Sequence, residues 1–184
     1  WASLYEAKFY RANFCGANLN GAGLADANLF KAKLEGANLT EADLRRADLA
    51  DANLFKAKLE GANLADANLF KAKLEGANLT EMNLYGVNLT NTDLEGANLT
   101  EAKLPRVNLK EANLAGAKFT RADLTDTDLE GANLTEADLT GAKLKGAYLS
   151  LAKLTRADLE GAEADHFTVW PEGFDPEAAG VIFE

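Results

Sequence analysis

Starting at Leu4, every fifth residue through Leu159 is Leu or Phe, giving 32 consecutive positions with Phe9, Phe14 and Phe119 as the aromatic ones. Two residues before each stands a small side chain, Ala in 27 of the 32, the exceptions being Met82, Val87, Thr92, Val107 and Thr127. Between the two lies Asn in 14 units, Lys in 8 and Asp in 7. A period of five fits neither a helix nor a long strand. Within each unit, small–polar–Leu is one stroke of strand alternation: inward, outward, inward. The next two residues are polar or small and often end in Gly, as in Glu35-Gly36 and Glu95-Gly96, which predicts a corner. Three extended residues and a corner, repeated, wind a polygonal coil whose neighbouring turns pair through the backbone. The expected architecture is a β-solenoid in one domain.

Residues that stack should recur at five times the number of sides. Gly16, Gly36, Gly76, Gly96 and Gly116 share one 20-residue phase, and Thr40, Thr80, Thr100, Thr120 and Thr140 share another. Charges alternate along such phases, as in Asp26, Arg46, Asp66 and in Lys103, Asp123, Lys143, which favours neighbours one strand apart. Four sides per coil follow. The block ADANLFKAKLEGANL begins at Ala25, Ala50 and Ala65, offsets of 25 and 15, so duplication worked in units of five.

Stretches such as Ala97-Asn98-Leu99-Thr100-Glu101 resemble the repeat of the pentapeptide-repeat family. The resemblance implies an all-β fold, a right-handed quadrilateral β-helix of about eight four-sided coils. At a strand spacing of ~4.8 Å that is a rod roughly 38 Å long. The predicted division is 1–162 for the β-helix and 163–184 for a C-terminal capping segment. The run Thr168-Val169-Trp170-Pro171-Glu172-Gly173-Phe174-Asp175-Pro176 resembles the closing segment of many cyanobacterial members.

A solenoid must close its ends. Trp1, Phe9 and Phe14 supply bulk for plugging the first coil. In the tail, Trp170, Phe174, Ile182 and Phe183 are expected either to fold over the last coil or to form a homodimer contact, as gyrase-directed members do at their C-terminal ends. Monomer and C-terminal-end homodimer are thus the two expected states.

Composition narrows the chemistry. One histidine (His166), one cysteine (Cys15) and two serines (Ser3 and Ser150) leave almost no stock for a nucleophile–base pair and none for a zinc quartet. One cysteine excludes an intrachain disulfide. Carboxylates are spread among cations along the walls, with Leu filling the axis, so no pocket separates two pKa values for acid–base work. The expectation is a protein that is not an enzyme and takes no cofactor or metal. No apolar run approaches a membrane span. The cytoplasm is the expected compartment, with periplasm or thylakoid lumen the alternative if a leader preceded Trp1.

The net charge of −10 invites an alternative reading, a DNA-mimicking modulator of gyrase of the quinolone-protection type, because several family members present an acidic rod in place of duplex. The distribution opposes it. Residues 161–184 carry six acids and no Lys or Arg, so the repeat body holds 23 acids against 19 bases. The faces centred on Leu4, Phe9 and Phe14 each sum to zero, and the four excess negatives all lie on the face centred on Leu19. Duplex of the same length offers on the order of 20 charges. Direct binding of nucleic acid is excluded by the same sums. The leading expectation is a structural scaffold for an unknown protein partner. A docking stripe is predicted at Tyr10, Phe30 and Phe70, one corner of successive coils, with Ala50 between the last two.

Overall fold

A computed structural model describes residues 3–184; Trp1, expected to plug the first coil, lies outside the described residues. From Ser3↔Gly23 to Lys143↔Glu163, the parallel ladder partners stand 20 residues apart, so each coil has four sides. Strand character is confined to one outward residue per side. We number the faces one to four after Leu4, Phe9, Phe14 and Leu19. The inward residues Leu24 through Leu149 are at most 1% exposed, and the alanines beside them are almost as deeply buried.

Why five residues suffice is seen by following the backbone N–H groups of one unit, Ala27–Lys31. Asn28 N–H donates down to Ala7 C=O (2.9 Å), Leu29 N–H up to Asp48 C=O (2.8 Å) and Lys31 N–H up to Ala50 C=O (3.0 Å). Ala27 N–H closes the preceding turn on Leu24 C=O (3.1 Å). The fifth, Phe30 N–H, has no backbone acceptor and takes Asn28 Oδ1 (3.1 Å). That side-chain bond to the residue two ahead is an Asx turn, which Asn and Asp make readily. It serves the large outward Asn/Asp column throughout, for example Asn63 to Ala65, Asp93 to Glu95 and Asp158 to Glu160. Lysine units lack the acceptor. In one of them, Lys103-Leu104-Pro105, the orphan donor is removed by proline, whose ring also suits that turn position.

The last residue of every unit is left-handed, from Glu6 (φ 54°) to Gly161 (φ 68°). Glycine, expected at these corners, holds 12 of the 32, and the other 20 carry side chains, Leu151 among them (φ 61°). Each non-glycine corner costs about 1–2 kcal/mol. The ladder bond and the closed turn at that residue over-determine the conformation.

Two inward positions are polar. Thr92 and Thr127 are fully buried, and their Oγ1 groups donate to Leu69 C=O (3.0 Å) and Leu104 C=O (2.8 Å), so each replaces Ala without stranding a hydroxyl. Met82 is different. Four of the six ladder bonds that the pattern places between 57–66 and 77–86, those from the Gly61, Leu64, Asp66 and Asn83 amides, are missing among the described residues, while Lys58 and Asn78 remain register partners. Met82 projects inward in this stretch, in a column otherwise held by Ala42, Ala62 and Ala102. Overfilling a packed core pushes neighbouring backbone apart, and the ladder has parted beside the bulk.

The coil path continues into the tail. Strand β1, Glu163–Ala164, pairs in parallel with β2, Ile182–Phe183. Between them one extra residue enters: Tyr148 pairs with Val169, 21 residues on. Asp165 bridges the disturbance. Its Oδ1 accepts from Gly146 N–H (2.9 Å), where a backbone carbonyl would have stood, and from Phe167 N–H and Thr168 N–H (both 3.1 Å). Thr168 Oγ1 donates to Leu144 C=O (2.9 Å), repeating the device of Thr92 and Thr127. At the opposite end Leu4, Phe9, Phe14 and Leu19 are half-buried, with Phe9 and Phe14 edge to face at 5.0 Å.

Candidate functional site

The corner between faces two and three gathers the predicted stripe. Tyr10 and Phe30 stack at 5.8 Å and 28°. Phe70 lies two coils beyond Phe30, and Ala50 between them is only 6% exposed, so flanking groups cover it. Each ring carries a cation from the next residue: Arg11 over Tyr10 (5.2 Å), Lys31 over Phe30 (4.9 Å) and Lys71 over Phe70 (5.0 Å). The turn explains the pairing. Its third residue is left-handed, which folds that side chain back across the ring before it. Such contacts contribute about 0.5–1 kcal/mol at exposed sites.

Phe55 with Lys56 makes the same contact (4.9 Å) one corner away, and was missed because it falls on a different 20-residue phase. Beyond Phe70 this corner carries no rings. Lys110 there holds Glu130 (2.7 Å) and Asp128 (3.4 Å), an ordinary inter-coil ion pair.

The predicted tail residues divide. Trp170 and Phe174 stack at 5.3 Å and pack on the core. Ile182 and Phe183 are 52% and 45% exposed, and do not cover the end. Also exposed in the last coils and tail are Tyr148, Leu151, Phe167 and Val169, which the sequence reading overlooked. Tyr148 and Val169 are register partners, a pairing hidden by the extra residue before Val169. Trp170 Nε1 is buried without an acceptor.

Cys15 Sγ–H donates to Glu35 Oε2 at 2.9 Å. That bond pushes the thiol above its ordinary range and holds the Glu35 carboxyl below its own, the opposite of an activated nucleophile. His166 stacks against Phe167 at 3.8 Å. Among the described residues, no group of three His, Cys, Asp or Glu side chains is placed to hold a metal ion, and no helix is long and apolar enough to cross a membrane. On the acidic fourth face, Arg121 pairs with Glu101 at 2.5 Å, and Asp138 accepts from Thr120 Oγ1 at 2.7 Å.

The family model described as pentapeptide repeats matches in eight copies over 1–36, 22–61, 62–100, 92–131 and 132–166. Among solved structures, the chain is similar to HetL, a pentapeptide repeat protein involved in heterocyst differentiation regulation from the cyanobacterium Nostoc sp. strain PCC 7120. The identity is 32%, over 88% of this chain and 86% of that one, at a TM-score of 0.41. It is also similar to QnrB1, a plasmid-mediated fluoroquinolone resistance protein, at 19% identity over 100% and 90% of the two chains, with a TM-score of 0.55. A pentapeptide repeat protein of the Arabidopsis thaliana thylakoid lumen shares 28% identity over 56% of this chain and 68% of that one, with a TM-score of 0.32. No curated protein matches the chain.

Proposed function

Since the chain belongs to the pentapeptide-repeat family and folds as its right-handed quadrilateral β-helix, we propose that it is a non-catalytic scaffold that docks a protein partner on the aromatic corner of its first four coils. The observation that carries this reading is the aromatic column Tyr10, Phe30 and Phe70, with the buried Ala50 between the last two, flanked by Arg11, Lys31 and Lys71. Rings topped by cations offer a partner apolar contact together with charge, the mixture enriched at protein interfaces. The Asn and Asp of the walls elsewhere are already engaged with their own backbone or with the next coil.

Affinity capture from the native host compares the wild-type chain with a Phe30→Ser, Phe70→Ser double variant. The variant is expected to lose the partner while its circular dichroism and thermal transition hold, since both rings sit outside the core. Retention of the same partner by the variant would refute the corner as the docking surface.

The likeness to QnrB1 motivates one further assay. A DNA mimic should inhibit gyrase supercoiling, or protect it from a quinolone, at low micromolar chain. No effect is expected, because the repeat body has only four excess negatives, all on the fourth face, where Glu101 is already paired.

A further inference from the structure

Diagonally opposite the aromatic corner, the parted ladder opens a cleft of about 600 Å³ lined by Glu60, Gly61, Asn78, Thr80, Glu81 and Met82, with Ala62 and Asn83 at its first-face edge. Both walls are backbone edges. The lower stretch leaves unpaired the amides of Gly61, Leu64 and Asp66, which in other coils donate upward. The upper stretch leaves the carbonyls of Thr80, Asn83 and Tyr85, which would have received them. Edges of this kind are templates for an added strand.

The side chains state what the strand should carry. Glu60 Oε1 accepts from Asn78 Nδ2 (2.9 Å), while its Oε2, shielded from solvent, has no donor. Glu81 stands at the next coil's corner on the column of Gly61, beside that of Glu60, and Gly61 between Glu41 and Glu81 contributes no side chain to fill the space. This is also the one face with excess negative charge. A guanidinium donates in several directions and accepts nothing, which matches a lining of carboxylates and free carbonyls.

From these features we infer that the seam is a binding slot for an extended, arginine-bearing segment of a partner protein, its backbone pairing with the parted edges and its guanidinium meeting Glu60. The slot is separate from the aromatic corner and stands or falls without it. Met82 is the wedge that holds it open.

The probe is an acetylated and amidated Val-Arg-Thr-Arg-Val peptide, titrated into the full chain and followed by amide chemical shifts. Changes are expected at 57–66 and 77–86. Replacing both arginines by citrulline, or Glu60→Gln in the protein, should weaken binding about tenfold, the effect of losing a charge-assisted hydrogen bond. Proline in place of the peptide's Thr should weaken it too, by removing a backbone donor. Met82→Ala restores the residue found at most inward positions and should abolish binding while the chain stays folded. Independently of any peptide, the Gly61, Leu64 and Asn83 amides should exchange with deuterium faster than Gly36, Leu39 and Lys58, and Met82→Ala should slow them. Shifts spread along the whole acidic face, undiminished binding by Met82→Ala, or no shifts at millimolar peptide would each overturn the proposal.

Discussion

Beyond the last coil Trp170 and Phe174 of the tail pack on the core, whereas among the described residues of the first coil Leu4, Phe9, Phe14 and Leu19 are half-buried. The C-terminal closure is built from the solenoid's own rules, bent once. One extra residue slips the register, Asp165 supplies the acceptor the slip removed, and Thr168 seats itself as the inward threonines of the body do. Trp170 and Phe174 then cover what a further coil of Leu would have covered. An inward side chain in this fold needs a coil on each side to be fully dry.

The comparison can be broken most severely between the ends. Leu74→Asp puts an unpaired charge at a fully buried position, and the chain is expected to unfold, giving no cooperative transition in circular dichroism. Trp170→Ala strips the C-terminal cover and should cost about 2–3 kcal/mol, below the usual range for a fully buried Trp because the ring is half-buried. Denaturant titration measures it, and a loss under half of that would mean the tail is not closing the core. Thr168→Val removes the hydroxyl from Leu144 C=O and from Asp165, for an expected loss of about 1–2 kcal/mol by the same measurement. In the first coil, Phe14→Ala should cost about 1 kcal/mol, chiefly the edge contact with Phe9 and partial burial. A cost equal to that of Trp170→Ala would erase the contrast.

The smallest effect is in acid. Backbone donation from Gly146, with further bonds from Thr168 and Phe167, holds the Asp165 carboxyl below its ordinary range, and the Lys145 ammonium does the same for Glu184. A carboxyl depressed in the folded state stabilises above its unfolded pKa, and that contribution is lost as pH falls through the folded value. The melting temperature should therefore drop below about pH 4, from the ordinary carboxylate range. Asp165→Asn should flatten that limb, and an unchanged profile would sever the carboxyl from the closure.

Much of this was legible in the residues. The inward Leu and Ala, the 20-residue stacking and the corners follow from a period of five together with strand alternation. What was not legible depended on bonds beyond the unit. Twenty non-glycine corners adopt a conformation their own propensity resists, because ladder bonds from the next coil outweigh it. The Asn/Asp column was read as a polar wall, while its work is to cap the one amide the ladder leaves out. Met82 stood out as an exception, yet that the ladder parts on the side of the preceding coil, while Met82 C=O still accepts from Lys103 N–H (2.8 Å), depends on side-chain volume at a particular level of the stack. Tyr148 and Val169 became neighbours through a single added residue, and a rule of strict period could not foresee it.

The constant 20-residue spacing of the ladder has a kinetic consequence. Long-range pairings join residues separated by about 0.11 of the chain length, a relative contact order usually seen in small helical bundles rather than in β-sandwiches. Closing each new coil costs the same loop entropy wherever it forms. The chain should therefore fold quickly for an all-β protein, and growth can start at any coil and advance toward both ends.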